Sequence, residues 1–184
     1  MTDHASATRK PFLYVVVCGA GVADDVGLLI GAAQEQGWEV AVVATPQAMA
    51  FIDAEAVTAQ TGHPIRSEWR APGDDRPLPP ADAIAVAPAT FNSINKWAAG
   101  IADTLALAIL CESYGQGEPT AVLPRANAAL SAHPAYARSL DRLREMGVLI
   151  GSGGPQDGQE AAGGFRWEEA LELLAPVLEE RTAA

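Results

Sequence analysis

Ala83-Ile84-Ala85-Val86-Ala87-Pro88-Ala89-Thr90-Phe91-Asn92-Ser93-Ile94-Asn95-Lys96-Trp97-Ala98-Ala99-Gly100-Ile101-Ala102-Asp103-Thr104-Leu105 is the stretch whose reading decides the fold. Ala83 to Val86 is an apolar run of the kind found in buried parallel strands. After Pro88 the spacing changes, with Ile94, Trp97, Ala98, Ile101, Leu105, Ala108 and Ile109 recurring at three- and four-residue steps, which predicts one continuous helix. Strand followed directly by helix places the polar residues between them at the carboxyl end of a strand, where open α/β sheets bind ligands. Asn92, Lys96, Gly100 and Asp103 form a polar stripe on the opposite side of the predicted helix. Glycine inside a helix costs about 1 kcal/mol against alanine, so Gly100 beside Ala99 and Ala102 suggests close approach of another surface or a ligand; ordinary core packing with a solvated outer face is the alternative.

Working outward from this stretch, strands and helices alternate. Phe12 to Val17 is an apolar run that ends in Cys18-Gly19-Ala20-Gly21, and Val26, Leu29, Ile30 and Ala33 then mark a helix closed by Gly37. Glycines let the backbone approach a phosphate, and free N–H groups at the start of a helix favour an anion. Gly19-x-Gly21 lacks the third glycine of a dinucleotide fingerprint, and the strand from Trp38 to Ala44 ends in Thr45, not in an acid for a ribose, which argues against NAD. Asp24 and Asp25 suit the first helical turn but would repel a phosphate they faced. Pro46 fits a first helical turn that Thr45 can cap. Trp69 to Pro80 is rich in proline and reads as a loop. Thr120 to Leu123 is a further strand, a helix begins at Pro134, and Val148 to Ile150 is a last short strand. Gly151 to Gly164, with six glycines, is expected to be mobile. The chain ends in a helix around Leu171, Leu174, Ala175 and Leu178. Repeated strand-helix units without hairpin signals give an α/β fold, a parallel sheet covered on both faces.

Pro88-Ala89-Thr90-Phe91-Asn92-Ser93, followed by Gly100-Ile101-Ala102-Asp103, resembles the PASANT motif and adjoining G-I-A-D segment of the homo-oligomeric flavin-containing cysteine decarboxylases. That family includes phosphopantothenoylcysteine decarboxylases and enzymes that decarboxylate C-terminal cysteines of lantibiotic precursors. The resemblance implies a three-layer Rossmann-like fold with six parallel strands in the order 3-2-1-4-5-6, and a homo-oligomer, trimer or dodecamer, with FMN between subunits. It implies that Gly19, Ala20 and Gly21 hold the FMN phosphate, and that Thr45 and Phe51 belong to a T-x-x-A-x-x-F-I element at the flavin. Pro88, Ala89, Thr90, Ser93 and Asp103 are expected at the cofactor, and Asn92 is expected to hold the substrate carboxylate. Pro124-Arg125-Ala126-Asn127 is similar to a P-A-M-N element that recognises substrate, which makes Asn127 a substrate residue. Phe91 stands where the motif has a small residue and would crowd the flavin face. Thr61-Gly62-His63-Pro64 resembles the turn before a short third strand.

Two departures bear on activity. The family's catalytic histidine is expected between Trp69 and Pro80, and none occurs there; Arg76 is the nearest candidate to orient an anion, but arginine stays protonated and is no base. His63 and His133 read as surface or capping residues. The flap cysteine of the phosphopantothenoylcysteine branch is absent from Ala161-Ala162-Gly163, its best match. The expected chemistry is oxidation of a cysteine-type thiol coupled to loss of its carboxylate. The competing readings are a regulatory or otherwise non-catalytic FMN-binding protein, and a subunit to which another chain supplies the histidine.

At 184 residues, a single domain over 11–184 with a disordered tail over 1–10 is expected. The net charge of -11 gives nucleic acid and anionic membranes no attractive surface. The partner expected is a small-molecule or peptidyl-cysteine substrate. Cys18 and Cys111 are isolated from other ligands, so no metal site is expected and both thiols should stay reduced in the cytoplasm. The apolar run after Arg9-Lys10 is short and broken by Gly19 and Gly21, and is read as a strand, not as a signal peptide.

Overall fold

The computed structural model describes residues 9–71, 73, 78–153 and 164–182, the side chains of 180–182 excepted. Strand β1 (Phe12–Val17) leads to α1 (Val26–Glu35), β2 (Glu39–Ala44) and α2 (Ala54–Thr61). The motif strand β3 (Ala83–Thr90) is followed by α3 (Phe91–Ala98), α4 (Leu105–Gln116) and β4 (Thr120–Arg125). Then come α5 (Ala128–Ser131), α6 (Pro134–Glu145), β5 (Leu149–Ile150) and α7 (Glu169–Thr182).

The strands pair in parallel in the order β2-β1-β3-β4-β5. Side chains alternate between the two faces, as strand geometry requires. Leu13, Val15 and Val17 join a core under α1, α2 and α7, whereas Val16 and Cys18 join a second core under α3, α4 and α6. These are the three expected layers.

Among the described residues five strands form where six were expected. The third is reduced to one bridge, Val43 with Arg66, in which Arg66 N–H donates to the Val42 carbonyl at 3.0 Å and Ala44 N–H to the Arg66 carbonyl at 2.8 Å. Pro64 has no N–H to donate to a ladder, so pairing does not extend back from Arg66. Counting that bridge as a remnant of the third strand recovers the order 3-2-1-4-5-6.

The single helix expected over the motif is two. Gly100 has φ +71° and closes α3, with Ile101 N–H donating to the Lys96 carbonyl and Gly100 N–H to the Trp97 carbonyl, both at 2.9 Å. This left-handed closure is the reason for the glycine, because nothing lies within 4 Å of where its Cβ would be. Thr104 then caps α4, its Oγ1 accepting from Leu107 N–H at 3.3 Å. Ile101, placed on the apolar face by its spacing, is instead exposed in the connection between the two helices.

Candidate functional site

From β1 the chain steps to β2 on one side and returns to β3 on the other. The loops leaving β1 and β3 therefore diverge and leave a crevice at the carboxyl edge of the sheet. Hydrogen bonds fix its walls: Cys18 N–H donates to the Pro88 carbonyl at 3.0 Å, and Thr45 N–H to the Val17 carbonyl at 2.9 Å. A Cβ on Gly19 would lie 3.0 Å from Gln47 Cβ and 3.1 Å from its carbonyl carbon, so the loop after β2 leaves no room for a side chain there. At Gly21 nothing lies within 4 Å. The backbone then enters a 3-10 turn, Gly21–Asp25, with Asp24 and Asp25 exposed. Among the described residues, the N–H groups of Gly19, Ala20, Gly21 and Val22 have no acceptor. Four consecutive N–H donors without a protein acceptor at one loop form a place that can hold an anion such as a phosphate.

The side chains around this loop are poised as donors. Thr45 is buried, and its Oγ1 accepts from Ala48 N–H at 3.3 Å, which leaves its O–H proton available. Phe51 ends the short turn after it and is 43% exposed, a large apolar ring at the rim of the crevice. At the end of β3, Thr90 Oγ1 caps α3 by accepting from Ser93 N–H at 3.4 Å, with the Ser93 hydroxyl 3.1 Å away. The Cys18 thiol is buried among these groups. Burial pushes its pKa up despite hydrogen bonds from Ser93 and the Thr90 backbone, so it is a neutral thiol joining the ends of β1 and β3 and not a nucleophile.

Asn92 follows in the first turn of α3, exposed, and its side-chain amide has no partner among the described residues. Phe91 turns the other way. Its ring packs between Tyr136 and His133 in the second core. The Asp103 carboxylate pairs with Lys96, one helical turn beyond Asn92. Asn127 caps α5, its Oδ1 accepting from Leu130 N–H at 2.9 Å, and only its Nδ2 remains for a substrate. Ala126 beside it is buried, and Arg125 pairs in register with Thr90 across β3 and β4.

Both described histidines have a ring nitrogen engaged elsewhere. His63 Nε2 lies 3.1 Å from Glu39 Oε1, and its ring meets Phe12 edge-on. Both partners begin their strands, so His63 sits at the amino edge of the sheet, opposite the crevice. His133 caps α6, with Nδ1 accepting from Ala135 N–H at 3.1 Å. Arg70 and Leu78 of the proline-rich loop line a cavity of about 150 Å³ with Arg66, Tyr14, Val43, Leu105 and Ile109, and Trp69 at the start of that loop is 57% exposed. Arg76 and Ala161 to Gly163 lie outside the described residues. No cluster of three metal-ligating side chains occurs among the described residues, and no helix there is long and apolar enough to cross a membrane.

The segment entering the glycine-rich stretch has an anchor that sequence alone did not signal. Glu169, at the start of α7, accepts from Ser152 N–H and Oγ at 2.8 Å and from Gly153 N–H at 3.1 Å. Burial raises its carboxyl pKa, but these bonds and Arg166 outweigh that and hold it below the ordinary value. Gly153 is pressed against the β4 end, where a Cβ would come 2.4 Å from the Pro124 carbonyl oxygen. Gln47, the wall against Gly19, was equally invisible in sequence, since its contribution includes backbone.

Comparison with known proteins agrees with this geometry. The sequence model of the family described as Flavoprotein matches residues 1–170. The coenzyme A biosynthesis bifunctional protein CoaBC of Escherichia coli is 30% identical over 141 residues, covering 73% of this chain and 34% of that protein. The phosphopantothenoylcysteine decarboxylase of Arabidopsis thaliana is 28% identical over 152 residues, 77% of this chain and 71% of that protein. The chain thus spans about a third of the bifunctional relative. Among solved structures, the FMN-dependent cysteine decarboxylase SpaF superposes with a TM-score of 0.73 at 27% identity, covering 95% of this chain and 98% of that one.

Proposed function

The chain belongs to the Flavoprotein family, and from that premise we propose that it binds FMN and uses it to oxidise a cysteine-type thiol with loss of the adjoining carboxylate. The observation that carries the reading is the row of unpaired N–H groups from Gly19 to Val22, opposite an unengaged Asn92, across one crevice. The loop provides one phosphate cradle and no second nucleotide signature, which favours FMN over FAD or NAD. Gly19, Ala20, Gly21, Thr45, Pro88, Ala89, Thr90 and Ser93 would hold the cofactor, with Phe51 at its edge. Asp103, paired with Lys96, would reach only a cofactor or subunit approaching α3 from outside.

Bound FMN supplies a two-electron acceptor. Removal of the Cβ hydrogen and the thiol proton with two electrons converts the C–S bond to C=S. The C–COO⁻ bond then breaks, its electron pair moves onto the thiocarbonyl, and carbon dioxide leaves an enethiolate. Asn92 suits the carboxylate before that break, because a neutral amide donates to it without fixing it as a salt. Asn127 Nδ2 would hold the remainder of the substrate.

The second reading is an FMN-binding protein without turnover of its own, or one completed by a histidine from another chain. It is favoured by the position of His63 at the wrong edge of the sheet and by the absence of histidine between Trp69 and Pro80. In a homo-oligomer, trimer or dodecamer, exposed Phe51 and Ile101 would be covered by a neighbouring copy; a histidine supplied by a different chain would require a mixed assembly. General-base catalysis contributes roughly 10²–10⁴-fold, so decarboxylation by the isolated protein should be slow. The test is single-turnover mass spectrometry of the FMN-loaded protein with a C-terminal-cysteine peptide and with phosphopantothenoylcysteine. Loss of carbon dioxide and two hydrogens, abolished by Asn92→Ala without release of flavin, supports the enzyme; bound FMN with no product supports the second reading.

A further inference from the structure

The ends of β3 and β4 lie side by side, with Ala89 paired to Pro124 and Thr90 to Arg125. Paired residues on neighbouring strands are about 4.8 Å apart. On β4, Ala121 and Leu123 join the core under α1 and α7, and Val122 and Ala126 join the opposite one. Arg125 therefore continues the Ala121 and Leu123 face. On β3 the same core takes Ala83, Ala85 and Ala87. The irregularity between Val86 and Ala89 turns Ala89 to the other side, so Thr90 returns to the first. Thr90 and Arg125 are thus neighbours on one face of the sheet, the face onto which the loop from Gly19 to Val22 leads through α1. Asn92 and Asn127 each stand two residues beyond this pair, one in the first turn of α3 and one capping α5.

Arg125 is the last residue of β4 and is half-buried. It occupies the position at which the similar P-A-M-N element has alanine, a side chain that forms no hydrogen bond. The chain has 23 acidic residues against 12 basic ones, yet no Asp or Glu occurs between Asp82 and Asp103 or between Glu118 and Asp141, the stretches that form these strand ends and the loops after them. The carboxylate that the fold brings to the end of β4, Glu169, is committed to Ser152 and Gly153, and the cation acting on it is Arg166.

Chemistry decides which anion a guanidinium there serves. Arginine stays charged and presents a planar fork of N–H donors suited to carboxylate or phosphate. On the carboxylate that leaves as carbon dioxide it would oppose the reaction, because that salt has to be broken along with the C–C bond. The neutral amide of Asn92 suits the leaving group better, and a cation beside it suits an anion that stays.

We infer that Arg125 is a specificity-determining residue, whose guanidinium binds a second anionic group, carboxylate or phosphate, in the part of a cysteine substrate that remains after decarboxylation. The inference rests on the cysteine-decarboxylase reading given above.

Two matched pairs of probes, titrated against the spectrum of the FMN-loaded protein, test it: N-acetylglutamylcysteine against N-acetylglutaminylcysteine, and phosphopantothenoylcysteine against pantothenoylcysteine. The unmodified protein should bind the anionic member of at least one pair about tenfold or more tightly, as expected for hydrogen bonds to a charged group. A preference within the first pair identifies a carboxylate, and within the second a phosphate. Arg125→Ala should lose the preference at unchanged FMN affinity, with Arg125→Gln in its place if the alanine variant does not fold. Arg125→Lys, which keeps the charge without the planar fork, should retain part of it. No preference in either pair, or one that persists without the guanidinium in Arg125→Ala or Arg125→Gln, overturns the assignment; a flavin response to the neutral thiols then leaves the underlying reading standing. Failure to take up FMN, or no flavin response to any of the probes, removes that reading and this assignment with it.

Discussion

Two glycines two residues apart have opposite reasons for being glycine. Gly19 is constrained by its own chain, since a Cβ would press on Gln47, whereas Gly21 faces open space within the chain. Gly19→Ala should therefore destabilise the fold by about 1–3 kcal/mol through overpacking and weaken FMN binding as the loop shifts. Gly21→Ala should leave stability within about 0.5 kcal/mol of the parent, as for a substitution that meets nothing, while weakening FMN binding by placing a methyl group in the phosphate cradle. Thermal melts and FMN titrations of both variants check the contrast; equal effects of the two on stability would mean that the loop is not held against Gln47. Both glycines were legible in sequence as part of a strand, loop and helix unit because that pattern is local. Their different roles were not, because the wall against Gly19 comes from the loop after another strand.

At the scale of elements, the Glu169 clamp joins α7 to the segment that runs along the end of β4. Its carboxyl is depressed below the ordinary 4.5, so the stabilisation it gives is fully present above the unfolded value and is lost as pH falls through the lower, folded one. Glu169→Gln should cost about 1 kcal/mol near neutral pH, a figure discounted for solvent exposure, and the difference from the parent should shrink below pH 4.5. Urea melts across that range check it; a gap constant with pH would mean that the carboxylate charge is not what holds Ser152 and Gly153.

The same scale explains where the sequence misled. Apolar spacing runs unbroken from Ile94 to Ile109, so periodicity predicted one helix, while the left-handed turn at Gly100 ends the first helix and a second begins at Leu105. The third strand failed because backbone pairing past β2 depends on N–H groups that Pro64 lacks. Runs with no such interruption, read as Phe12 to Val17, Trp38 to Ala44 and Thr120 to Leu123, form strands at Phe12–Val17, Glu39–Ala44 and Thr120–Arg125, and with them the parallel α/β architecture.

For the whole molecule, the close approach expected at Gly100 beside Ala99 and Ala102 is not on the face of a helix, because these residues lie in the turn and connection after α3. What remains outward is a set of large apolar side chains, Phe51, Trp69 and Ile101 among them. The cavity lined by Arg66 and Arg70, at about 150 Å³, is smaller than the roughly 300 Å³ at which ligand pockets begin. A homo-oligomer that covers these surfaces is expected in light scattering at micromolar concentration, and Phe51→Asp or Ile101→Asp should shift it towards monomer. A monodisperse monomer of the unmodified chain would remove the inter-subunit part of the account.

The central claim is that the crevice between the β1 and β3 loops holds FMN, and it is tested most directly by the visible spectrum of the purified protein with its released cofactor weighed by mass spectrometry. A flavin spectrum, release of FMN without FAD or NAD, and a stoichiometry near one per chain are the predicted result. A colourless protein that also fails to take up added FMN would contradict it.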